Sequence, residues 1–227
     1  DKPAPRNTWL DLLLRKGTTE LECWNNTVPV RSELFGPGRL EQQARSLARA
    51  HRVSEKGYPG NPLATRLKRN AEFLRNANIV LAQDAETGVQ LTPAAEWLID
   101  NYYLVDMQIQ EIGVDLPAGY YRELPKLSEG MFARLPRVFD IAWAFVSHTD
   151  SHFESESLRR FLLAYQQEQL LMIREVWAVP ITLRTVLIEN LRRVVESIVR
   201  DQEDREAAAT LADRLLALGS NSGSSRM

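Results

Sequence analysis

Apolar residues recur at intervals of three and four along most of the chain, which is the spacing of one face of an α-helix. The clearest series follows Thr92 and Pro93, a capping residue and a first-turn proline, and it reaches Ile112. Asn61 and Pro62 give the same signal one helix earlier. Strand signals are scarce. We therefore predict an all-α fold, a bundle of about eight helices in antiparallel hairpins.

The pattern divides the chain into three parts. Residues 1–37 contain four prolines and predict an extended N-terminal arm. Residues 38–218 form the predicted helical domain, and the Ser/Gly-rich residues 219–227 predict a disordered tail. Within the domain, Pro180 predicts the first turn of a long helix, which a separate last helix over 203–218 follows.

One internal segment, residues 114–136, has three prolines and two glycines, and it predicts a long ordered loop. An aromatic and polar cluster on and near it is the candidate interaction surface: Trp97, Asn101, Tyr120, Tyr121, Arg122 and Glu123. Such rings beside polar groups suit a sugar or a protein partner. The alternative is that they hold the loop onto the helices. We expect Tyr120, Leu124 and Pro125 to pack on the helix that follows Thr92, near Trp97 and Asn101.

The composition is that of a soluble globular protein, and its main use is to exclude certain structural and functional classes. The 227 residues include 28 basic and 30 acidic side chains, a formal net charge of −2 that argues against a nucleic-acid partner. A single cysteine, Cys23, rules out an intramolecular disulfide framework. No apolar run approaches the roughly 18 residues of a transmembrane helix.

Charge is unevenly distributed along the chain. Residues 38–75 hold nine basic and three acidic side chains, whereas residues 76–130 hold nine acidic and two basic ones. Two interpretations stay open. The two regions neutralise each other across a helix interface, or the basic region faces a phosphate-bearing partner or an anionic membrane surface.

No motif assembles a recognisable catalytic or cofactor site. The sequence lacks the glycine-rich loops that bind phosphates. His148 and His152 have the spacing of metal ligands on a helix, but the residues between them predict a helix end. Carboxylates such as Asp100 and Glu123 are available for acid–base chemistry, although sequence does not show that they converge. We therefore predict no catalytic, cofactor-binding or metal-binding residue in this chain.

Several long segments resemble, in order, the N-terminal cytoplasmic region of bacterial cyclic β-1,2-glucan synthases. They are VRSELFGPGRLEQQARSLA at 30–48, LTPAAEWLIDNYYLVDMQIQEI at 91–112, DLPAGYYRELPKL at 115–127, LPRVFDIAWAFVSHTDSHF at 135–153, LRRFLLAYQ at 158–166 and REVWAVPITLRTVLIENLRR at 174–193. The resemblance implies a glycosyltransferase that polymerises glucose from UDP-glucose, with this region at the cytoplasmic face of the inner membrane. The family's QxxRW transferase motif is absent here, so we carry over no catalytic residue.

Three hypotheses follow from these observations. The favoured one is a non-catalytic helical accessory domain that docks on the remainder of the synthase polypeptide, that is, on its transmembrane and transferase regions. The second is a helical carbohydrate-active enzyme domain that uses carboxylates such as Glu123 and Asp100. The third is a free-standing helical interaction module.

Overall fold

The computed structural model describes residues 28–54 and 57–223, and these residues contain seven α-helices. In chain order, α1 to α7 are Pro37–Ala50, Pro62–Glu86, Pro93–Asp115, Ala118–Glu123, Arg137–His148, Ser155–Gln166 and Ile173–Gly223. The described residues contain no strand beyond two isolated bridging pairs. The predicted all-α class is therefore confirmed.

Two of the helix starts are fixed by the caps that the sequence predicts. The Asn61 side chain accepts a hydrogen bond from the backbone amide of Ala64 at 3.1 Å. The Thr92 hydroxyl accepts one from the backbone amide of Ala95 at 3.3 Å. Each bond satisfies an amide at the start of a helix that has no partner within the helix itself. Together they set where α2 and α3 begin.

The largest departure from prediction is α7, which runs for 51 residues without interruption. The sequence predicts a helix near 170–177, another from Pro180 and a third over 203–218, and the structure joins all three. The long helix predicted to start at Pro180 begins at Ile173 instead, where Glu175 caps it by accepting the backbone amide of Met172 at 2.9 Å. Pro180 therefore lies inside α7 rather than in its first turn.

The end of α7 also differs from the prediction. Gly219 does not stop the helix, which continues to Gly223, so part of the predicted disordered tail is helical. Residues 224–227 lie outside the described residues. No side chain that the structure describes after Gln202 is buried. The helix extends about 30 Å past Gln202, at 1.5 Å per residue.

The core forms around the first half of α7, which packs against α2, α3 and α5, while α1 packs on α6 and α5. Helix α5 is the most deeply buried of these elements. Its Phe139 contacts Phe132 and Trp143 with ring centroids 5.7 and 5.9 Å apart, and its Phe145 contacts Phe161 of α6 at 5.6 Å. Such aromatic pairs contribute stability beyond the area they bury.

The described end of the N-terminal arm, residues 28–36, crosses the end of α5. The ring of Phe35 stacks on His148 with centroids 3.9 Å apart. His148 Nδ1 lies 2.8 Å from the backbone carbonyl oxygen of Glu33. The histidine therefore holds the arm in place. The rest of the predicted arm, residues 1–27, lies outside the described residues.

Candidate functional site

The structure divides the six predicted surface residues between two places. Trp97 and Asn101 lie on the first two turns of α3, where the Asn101 side-chain amide donates to the Trp97 carbonyl at 2.8 Å. Trp97 is 52% exposed. The other four residues form most of α4, beyond the far end of α3. About 20 Å of helix separates Asn101 from Asp115, so the two groups do not meet.

The loop residues pack on the starts of α5 and α7, not beside Trp97 as predicted. The Tyr120 hydroxyl donates to the backbone carbonyl of Arg174 at 2.5 Å. The backbone carbonyl of Pro125 accepts the amide of Arg137, the first residue of α5, at 3.0 Å. The reason is topological, because α4 begins where α3 ends and lies alongside the first turn of α7.

Tyr121 is a core residue and presents nothing to a partner, which corrects its place in the predicted surface. It is completely buried, and burial raises the pKa of its hydroxyl far above the ordinary value. The Lys126 ammonium lies 4.6 Å from the ring centroid and donates to the Tyr121 and Leu124 carbonyls at 3.0 Å each. Burial lowers the pKa of Lys126. By contrast, Arg122 and Glu123 are exposed.

The start of α7 carries an exposed apolar surface that the sequence reasoning missed. We call it the α7 patch, and it consists of Leu170, Met172, Ile173, Val176 and Trp177, which are 80%, 48%, 68%, 38% and 68% exposed. The last three lie at positions i, i+3 and i+4 of the helix, so they share one face. A concentration of large exposed apolar side chains marks an interaction site more often than a free surface.

A second exposed apolar row runs along α3. We call it the α3 stripe, and it consists of four large apolar residues with exposed side chains: Trp97, Leu104, Met107 and Val114. Their spacings of seven, three and seven place them at the seam positions of a heptad. The buried residues of α3, such as Leu98, Val105 and Ile112, lie on the opposite side and face α2 and α7.

Arg184 joins the two apolar surfaces on one side of the molecule. It lies seven residues after Trp177, on the same face of α7, and it bonds to Glu111 at 3.1 Å and to Asp115 at 2.6 Å. Glu111 in turn lies seven residues after Leu104 on α3. The α7 patch and the α3 stripe therefore border the same ion-pair cluster, and we refer to them together as the apolar face.

Four of the nine basic side chains of residues 38–75 form ion pairs with acidic side chains of the same chain. The pairs are Arg39 with Glu33, Arg45 with Glu41, Arg49 with Glu168, and Arg66 with Glu189. None of these four acidic partners comes from residues 76–130, and neutralisation between the two regions stays a prediction. The anionic membrane surface as a partner of residues 38–75 stays a prediction.

The buried polar groups form structural networks. His51 joins α1 to α5 and α6, with Nε2 3.0 Å from Asp140 and Nδ1 2.7 Å from the Tyr165 hydroxyl. Burial raises the pKa of Tyr165 to about 12. Nearby, Arg137 donates to both carboxylate oxygens of Glu175 at 2.6 and 2.7 Å. These groups satisfy one another in the core, and that is the arrangement expected of a fold-stabilising network.

The carboxylates of the enzymatic hypothesis do not converge. Asp100 lies exposed near the start of α3, whereas Glu123 lies at the end of α4, 3.9 Å from Arg174. A glycosidase pair needs carboxyl groups within about 5–10 Å of each other. Among the residues that the structure describes, no three potential ligands are grouped as a metal site, and no helix is long and apolar enough to cross a membrane.

The described residues thus define an all-α segment whose polar core is structural and whose most prominent outer feature is the apolar face. No family model matches the chain. The chain is similar to the cyclic beta-(1,2)-glucan synthase NdvB of Rhizobium meliloti (strain 1021), with 36% identity over 218 residues. The match covers 96% of this chain and 8% of that relative. The resemblance to cyclic glucan synthases is therefore confirmed, and the chain corresponds to a small segment of such a protein.

Proposed function

We propose that this chain is a non-catalytic accessory domain of a cyclic β-1,2-glucan synthase, and that its apolar face docks on the remainder of the synthase polypeptide. The single observation that carries the proposal is the α7 patch, where Leu170, Ile173 and Trp177 expose most of their surface. The relative is about twelve times as long as the matched segment, so a covalently linked partner for that surface is available.

The charges around the α7 patch fit a docking surface. Arg174, Arg184 and Glu123 border it, and all three carry exposed or half-exposed charges. An apolar centre within a polar rim is the usual anatomy of a protein interface. Tryptophan is the residue type that most often contributes strongly at the centre of such interfaces. We therefore assign Trp177 as the main anchor of the contact.

The proposal also assigns glucosyl transfer from UDP-glucose to other parts of the synthase, at the cytoplasmic face of the inner membrane. Its support is that Asp100 lies near the start of α3, whereas Glu123 lies on α4, beyond the other end of α3. Incubation of this chain alone with labelled UDP-glucose should therefore leave no label in protein or oligosaccharide. Incorporation that Glu123→Gln abolishes would instead establish the enzymatic hypothesis.

Docking is tested by producing this chain and the remainder of the synthase as two polypeptides and measuring their association. Trp177→Ala should weaken binding by about ten-fold or more, the effect of a strong interface residue. Phe153→Ala is a matched control, because Phe153 is 58% exposed but precedes α6, whereas the patch follows its other end. Equal binding by the wild type and Trp177→Ala, or no binding at all, would refute the proposal.

A further inference from the structure

The α3 stripe has a length and a pattern that suit a single helix as its partner. From Trp97 to Val114 it spans 17 residues, which is about 26 Å of helix. Its apolar positions repeat as the seam of a two-helix coiled coil does. The side of α3 that faces α2 and α7 is already filled, so the stripe is a second, outward-facing seam on the same helix.

The charges of α3 are all of one sign. The helix carries the five acidic residues Glu96, Asp100, Asp106, Glu111 and Asp115, and it has no lysine or arginine. Asp100 falls inside the seam, between Trp97 and Leu104, and it is exposed. At the far end of the stripe, Arg184 pairs with Glu111 and Asp115.

We infer that the α3 stripe binds a basic amphipathic helix, one with an apolar row at three- and four-residue spacing and lysine or arginine on its flanks. This inference rests on the proposed docking function and names the chemistry of the partner segment. A basic side chain opposite Asp100 would fix the register of the pair, as a polar residue at a seam position does. A flanking basic residue would meet Glu96, which directly precedes Trp97 at a position beside the seam.

The same charges argue against two other occupants. A second copy of this chain would place α3 against α3 and bring together, from each copy, the acidic groups that Arg184 does not pair: Glu96, Asp100 and Asp106. Like charges across an interface are destabilising. An anionic membrane surface would likewise repel this side of the molecule. A cationic helix is the occupant for which both the apolar row and the charges are complementary.

The test uses the 227-residue chain and a labelled synthetic peptide of 21 residues with leucine at the seam positions and lysine on both flanks. A matched peptide carries glutamate in place of lysine. In fluorescence anisotropy the lysine peptide should bind at least about ten-fold more tightly than the glutamate peptide, and the difference should shrink with added salt. Asp100→Lys should reduce the preference.

Two variants locate the binding site. Leu104→Asp places a charge in the seam and should weaken binding of the lysine peptide by about ten-fold or more. Ile79→Asp is the matched control, since Ile79 is 47% exposed on α2, and it should change the affinity by less than about two-fold. Circular dichroism and thermal melting of both variants should match the wild type, because neither side chain is part of the core.

Several results would overturn the inference. Equal affinity for the two peptides, or binding that Leu104→Asp leaves unchanged, would exclude this partner. Self-association of the chain, or its binding to phosphatidylglycerol vesicles, that Leu104→Asp abolishes would assign the stripe to a second copy or to a membrane. If the separately produced remainder of the synthase binds and only Trp177→Ala weakens it, the proposed function stands and this inference fails.

Discussion

The carboxylate of Glu189 should be the most sensitive single group for the stability of this fold. It is 1% exposed on the inner face of α7 and accepts four hydrogen bonds. Arg66 donates from Nε and Nη2 at 2.8 and 2.9 Å, Asn70 from Nδ2 at 2.8 Å, and Arg193 from Nε at 2.8 Å. One acidic group therefore connects α2 to α7 and compensates two buried guanidinium groups.

The loss of stability expected for Glu189→Gln follows from the fact that Arg66 and Arg193 share this carboxylate. The amide keeps the shape of the side chain but removes the negative charge that both guanidinium groups contact, and it turns one acceptor into a donor that faces other donors. Breaking a buried ion pair by removing one partner costs about 3–5 kcal/mol. Small proteins have unfolding free energies of about 5–15 kcal/mol, so the loss is a large fraction of the total.

Urea denaturation monitored by circular dichroism measures this loss as a lower midpoint. The matched control is Glu111→Gln, which breaks the half-exposed pair with Arg184 and should cost no more than about 1 kcal/mol. Arg66→Met should cost less than Glu189→Gln, because Arg193 and Asn70 still compensate the carboxylate. Equal midpoints for Glu189→Gln and Glu111→Gln would refute the assignment of Glu189 as the central group.

Three further predictions concern the stability of the fold. Burial disfavours the charged form of Glu189, but Arg66 and Arg193 outweigh burial and hold its pKa below the ordinary value. Its stabilisation should therefore be present at neutral pH and disappear as pH falls through that pKa, so melts of the wild type and Glu189→Gln should converge in acid. Pro180→Ala should raise the melting temperature and increase the free energy of unfolding by up to about 3 kcal/mol, because it restores a backbone donor inside α7. A lower melting temperature would contradict this. Tyr121→Phe should be neutral or stabilising, since the buried hydroxyl has no hydrogen-bond partner among the residues that the structure describes, whereas Tyr121→Ala should cost about 3–5 kcal/mol; a loss in the Phe variant above about 1 kcal/mol would contradict this.

The sequence predicted what is decided locally. The caps at Asn61 and Thr92 depend on a side chain and an amide three residues away, and both are present. The helical class follows from periodicity, which the local sequence also contains. The sequence did not predict that α7 is one continuous helix, because Pro180 is compatible both with a first turn and, at some cost, with a helix interior. The start of α7 at Ile173 depends on Glu175, which also accepts a hydrogen bond from Arg137 on a different helix.

The candidate surface was harder to predict, and the adjacent tyrosines show why. Tyr120 and Tyr121 are chemically identical, yet one is half-buried and the other completely buried. They differ because consecutive residues of a helix point in different directions, and this helix of six residues is too short to show a hydrophobic period in the sequence. The α7 patch was missed for the opposite reason. Apolar residues surround the whole of α7 near Trp177, so the sequence does not show which side the other helices cover.

The exposed apolar residues of the face contribute little to the fold, and this separates stability from binding. The buried residues Ala178, Val179 and Val186 already fill the inner side of α7, and the ion pairs of Glu189 and Glu175 connect it to its neighbours. Polar side chains at the exposed positions would therefore preserve the core. The proposed partner would cover these exposed apolar groups. The Trp177 and Leu104 variants should accordingly lose binding while they keep the wild-type melting temperature.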